Sequence, residues 1–190
     1  MYRSLFHCSR LFLGPLLCLG LGTAHAEAPP AASTVQAVSS AQAQGLDVLE
    51  DYAGTWKAEI HYLDTPYSKL GDTAYQLRND CWRSGAYYTC DQFVGGDSKA
   101  LLVFTWDPKR GYLSYPITPE SGATLHAGHL IVSGSLWTFP WQLTKDGKTT
   151  YFHVLNTWSG RDRIEFRQEY SADGKHWLPM AEGHETRVTD

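Results

Sequence analysis

An all-β fold, an antiparallel up-and-down β-barrel of eight to ten strands preceded by a short helical turn, follows from three observations. Segments of two-residue alternation recur, turn residues punctuate the chain at short intervals from Gly54 onward, and no long stretch carries a helical period. A meander of that many strands with one wet face must hide its edges, and closure into a barrel does so completely. A sandwich is the competing arrangement on pattern alone.

Each element has its own signal. Leu46 to Tyr52 is helical in character, with Asp47 as the expected cap and Leu46, Leu49 and Tyr52 on one side. The first strand puts Trp56, Ala58, Ile60 and Tyr62 on one face and Lys57, Glu59 and His61 on the other. Asp107-Pro108-Lys109-Arg110-Gly111 joins Leu101 to Trp106 with Tyr112 to Tyr115, Pro presetting the turn and Gly taking the positive φ. Asp146-Gly147 and Asp173-Gly174 have the look of tight hairpins. Ile164, Phe166, Gln168 and Tyr170 alternate with Arg163, Glu165, Arg167 and Glu169, a strand with one dry and one charged face.

The chain before this domain carries an address. Arg3 and Arg10 precede an apolar run, Leu11 to Leu19, and Ala24-His25-Ala26 supplies small residues for a signal peptidase, so residues 1–26 are expected to be a signal peptide and the protein exported, to a bacterial periplasm or beyond. The run is too short, and too broken by Gly and Pro, to span a ~30 Å hydrocarbon core. Leu17 before Cys18 argues against a lipid-modified cysteine. Residues 27–45 are rich in Ala, Pro, Ser and Gln with no apolar period, which reads as a disordered linker. Residues 46–190 then form one domain.

Without the signal, fourteen Lys plus Arg stand against twenty Asp plus Glu, and the basic residues are scattered. That excludes the concentrated positive face a nucleic-acid or anionic-membrane partner needs. The remaining thiols, Cys81 and Cys90, are expected to pair as a structural disulfide in an oxidising compartment. With Cys81 opposite Cys90, Ser84 faces Tyr87 and Gly85-Ala86 is a two-residue turn with Gly first.

Six histidines remain, and His126 and His129, three apart, point to opposite faces of a regular strand, so they are not a ready-made metal pair. No Gly-x-Ser-x-Gly and no His-Glu-x-x-His occurs, and the acidic residues fall mostly in turns or on outward positions. No catalytic residue, metal ligand or cofactor is assigned. The aromatic load is the one candidate for binding: Trp137, Phe139 and Trp141 share one face of a strand and, with Phe104, Trp106 and Trp158, are the candidate lining of an apolar cavity. The plainer reading is that these rings fill the core. Pro140 cannot donate to a ladder, so it marks an edge, bulge or kink and the place to look for a pocket mouth.

Across roughly residues 49–189 the chain resembles an uncharacterised bacterial family of lipocalin-like (calycin-type) β-barrel domains. The residues that carry the resemblance are Gly54-Thr55-Trp56, the turn Trp106 to Tyr112, and the end pieces Ser171 to Trp177 and Met180 to Arg187. The resemblance implies that Trp56 closes the narrow end and Arg187 packs across it as a structural plug. It brings no substrate. A small, mainly apolar ligand is the first functional expectation; an envelope interaction module with a filled barrel is the second, and a lipocalin-fold enzyme the third.

Overall fold

The computed structural model describes residues 45–119, 122 and 127–189. The expected signal peptide, all of the expected linker but Gly45, and His126 lie outside them. Ten strands follow one another: β1 (Gly54–Tyr62), β2 (Gly71–Ser84), β3 (Tyr87–Val94), β4 (Asp97–Asp107), β5 (Gly111–Ile117), β6 (Gly128–Ser133), β7 (Leu136–Lys145), β8 (Lys148–Trp158), β9 (Arg163–Ser171) and β10 (Leu178–Arg187). Each pairs antiparallel with the next and β10 pairs back onto β1, so the sheet is a closed up-and-down barrel and the sandwich is ruled out. No helix among the described residues is long and apolar enough to cross a membrane.

Register follows the alternation in the sequence. Trp56, Ala58 and Ile60 are buried, and their partners Leu77, Tyr75 and Thr73 on β2 share the inward face. Cys81 lies opposite Cys90 with the sulfurs bonded at 2.14 Å, and Ser84 lies opposite Tyr87. Gly85 there takes φ 57°, the position a side chain disfavours. Asp146 and Gly147 both have positive φ, the backbone of a type I′ hairpin turn between β7 and β8. Asp173-Gly174 differs from the tight hairpin expected of it. It sits within a longer connection from β9 to β10, in which Ser171 Oγ accepts from Gly174 N–H and Asp173 Oδ1 accepts from the N–H groups of Lys175 and His176.

One end of the barrel is closed by the chain that precedes β1. A 3-10 turn over Val48–Tyr52 continues a helical start at Gly45, and Leu46, Leu49 and Tyr52 enter a cluster with Tyr88, Phe104, Tyr112, Leu130 and Trp137. Asp47 makes no cap, because its backbone is already helical; its carboxylate instead meets Arg83 Nη1 at 2.5 Å. Gly45 packs so closely on Trp106 that a Cβ there would sit 2.2 Å from the indole. Trp56 lies beside this plug, edge-on to Trp158 at 5.6 Å, with the Arg187 guanidinium 4.2 Å from its ring centroid. Arg187 also donates to the backbone carbonyls of Asp51, Ala53 and Arg161, which ties β10, the 3-10 turn and the β8–β9 connection together.

Candidate functional site

Inward-facing positions toward the other end of the barrel are not all covered. β6 pairs with β7 only as far as Thr138, so Pro140 lies where β7 has no strand partner on that side among the described residues and its missing N–H costs no ladder bond. Beyond it Trp141 faces inward yet is 46 % exposed, and its ring stacks on Phe152 of β8 at 4.0 Å and 7°. These rings form one wall of a cleft of about 580 Å³ whose other sides are Tyr62, Tyr67, Leu143, Gln168 and Met180.

The loop from β1 to β2 folds across this mouth and is braced there by its own short hydrogen bonds. Thr65 Oγ1 accepts from the N–H groups of Tyr67 and Ser68, and Ser68 Oγ donates to Leu63 O at 2.7 Å. The loop therefore presents Tyr67 edge-on to Phe152 and Tyr170, each at 5.0 Å, with its hydroxyl 2.9 Å from Thr150 Oγ1. Lys69 stands exposed at the entrance.

Deeper inside the barrel the packing becomes polar. Gln92 Nε2 donates to Asn79 Oδ1 and to the Tyr52 hydroxyl, and Asn79 Nδ2 donates to the Tyr52 carbonyl, so the ring of the plug is held by two amides from β2 and β3. Glu185 lies on the inward face, opposite Ala58 and Ile164, and burial raises its carboxyl from the usual 4.5 to about 7. Burial also pushes the Tyr75 hydroxyl up to about 12, with the Glu185 charge adding to it. The same two causes, burial first, raise Tyr52. A carboxyl poised near neutrality, within electrostatic reach of two protonated phenols, can accept or donate a proton.

The six rings singled out in the sequence are divided by this geometry. Trp141 alone lines the mouth cleft. Phe104 and Trp137 are buried in the plug cluster, with Trp106, Phe139 and Trp158 packed against it. Sequence reasoning placed acidic residues outside and so missed Glu185. The signal was present: once Arg187 is set inward over Trp56, the two-residue period turns Glu185 inward as well. The same step from Cys81 and Cys90 finds Asn79 and Gln92.

A larger groove, about 810 Å³, crosses the outer face of β2, β1, β10 and β9. Its ionisable groups largely satisfy one another, His61 on Asp72 at 2.6 Å and His184 on Glu59 at 3.3 Å. No group of three His, Cys, Asp or Glu among the described residues is arranged to hold a metal ion. The mouth, not this groove, exposes apolar rings that a ligand would cover. No protein-family model matches the chain, and no curated protein matches it.

Proposed function

We propose that this protein is an exported, lipocalin-like barrel that holds one small, mainly apolar molecule at its mouth. One observation carries the reading: Trp141, on the inward face and half exposed, stacked on Phe152 at the rim of a cleft whose other walls are Tyr62, Tyr67, Leu143 and Met180 with Ser68, Lys69 and Gln168 among them. A large ring left uncovered where the barrel opens is a binding platform in waiting. The disulfide between Cys81 and Cys90 supports export, since such bonds persist in oxidising compartments.

N-phenyl-1-naphthylamine, whose fluorescence rises in apolar surroundings, tests it. The protein is expected to bind the probe at micromolar concentration, and Trp141→Ala to weaken binding roughly tenfold through loss of one stacked ring. Absence of any saturable signal would favour a filled barrel whose outer face engages a protein partner. A second reading rests on Glu185: a buried carboxyl near neutrality, within electrostatic reach of Tyr52 and Tyr75, suits general acid–base chemistry. Chemical conversion of a captured ligand, abolished in Glu185→Gln, would establish it.

A further inference from the structure

We propose that the deep lumen is a second, polar subsite that takes the hydrogen-bond-donating end of the bound molecule, above all a protonated amine. The inference rests on the mouth-binding reading and adds the chemical class of the ligand. Glu185 is 6 % exposed, and no hydrogen bond or ion pair from a described residue reaches its carboxylate. Asn156, 4 % exposed, has its Oδ1 buried without a partner, and so has the indole Nε1 of Trp158.

All three belong to one wall. Register places Trp158, Ile164 and Glu185 in one inward row, and Asn156, Phe166 and Gly183 in the next. Buried polar groups in folded proteins are nearly always paired, and a carboxylate is the costliest to leave alone. Two fully buried atoms without a partner on β8 and, on the next strand but one, one nearly buried carboxyl without one mark the place of a missing partner. Acceptors outnumber donors among them, two carboxylate oxygens and an amide oxygen against one indole N–H. Their complement is a group that mainly donates, and an ammonium with three N–H donors fits that description while a carboxylate does not.

Small residues keep the wall low around the carboxyl, with Ala58 opposite Glu185 and Gly183 two positions before it. From Ala181, next to the Met180 that lines the mouth, four residues of β10 lead to Glu185, about 13 Å of strand. A dodecyl chain reaches that far. Its end group would meet Glu185 while its tail lay against Trp141 and Phe152. Burial holds Glu185 at about 7, so it is ionised in mildly alkaline solution and strengthens its hold on an ammonium there.

Dodecylamine, dodecanol and dodecanoate share one tail and differ in the end group, so displacement of N-phenyl-1-naphthylamine by each separates the two subsites. Wild-type protein is expected to prefer the amine over the carboxylate by roughly tenfold or more, the worth of one charge-assisted contact. That preference should grow between about pH 6 and about pH 8 and collapse in Glu185→Gln, while Trp141→Ala weakens all three chains alike. The pH series in the wild type stands even where the variant folds poorly. Equal affinity for the three chains at both pH values overturns the polar subsite and leaves the mouth reading intact. Failure of every chain and of the probe to bind removes the mouth reading and the subsite with it.

Discussion

Replacing Glu185 by Gln is expected to make the barrel more stable in alkaline solution and to leave it unchanged in acid. Burial raises the folded-state pKa of Glu185 from 4.5 to about 7, so between those values the folded chain holds a proton that the unfolded chain has released. Stability is therefore fully present below about pH 4.5, falls as the pH rises, and is lost once the pH passes about 7. At about 1.4 kcal/mol per unit, the displacement amounts to about 3 kcal/mol. Gln keeps the shape and cannot ionise, so its curve lacks this slope. Urea unfolding of both proteins in steps from about pH 4 to about pH 8 measures the difference, and the other carboxylates cancel in it. The gap should open from near zero to about 3 kcal/mol in favour of the variant. Parallel curves would refute the claim that Glu185 sits uncompensated inside the barrel.

Arg187→Ala removes the cation from Trp56 and four donated hydrogen bonds to three carbonyls, and should cost about 3 kcal/mol; differential scanning calorimetry should show a lowered Tm with probe affinity at the mouth unchanged, and an unaltered Tm would contradict the plug. Replacing Cys81 and Cys90 together by Ser frees a short loop worth about 3 kcal/mol on the chain-entropy account; the denaturant midpoint should fall to that of the reduced wild type. Gly183→Ala would set a Cβ 2.1 Å from the Glu59 carbonyl oxygen and 2.8 Å from Ile60 Cα, where neither backbone can retreat. It should cost about 2 kcal/mol or more by prising β10 from β1, seen as faster amide exchange along Ala58 to Tyr62; unchanged exchange would show that the strands tolerate the methyl.

Strand content was legible because it rests on local signals, whereas closure was expected only from the edges an open meander would expose, a choice the pattern alone left open to a sandwich. Alternation fixed the faces of β1 and β9, and the Cys81 to Cys90 spacing gave the register of β2 on β3 down to Ser84 opposite Tyr87. Asp47 misled because the helical backbone begins at Gly45, three residues earlier than its capping role requires. The division of the aromatic residues was not legible. Trp137 and Trp141 have the same period on the same strand, and only the arrival of Leu46, Leu49 and Tyr52 from a distant part of the chain covers the first and leaves the second bare. Glu185 was hidden for a different reason: a charged residue is placed outside by default, and its inward orientation depends on a pairing with the opposite terminus of the domain.

Closure between β1 and β10 joins the earliest and latest strands of the domain. While the chain is being made, the first ribbon has β2 along one flank and bare amides along the other until residue 187 has emerged. The seam is thus the last to be sewn, and the protein spends its nascent life as an open, sticky sheet. A chaperone that shields that flank until β10 arrives should therefore raise the yield of folded barrel.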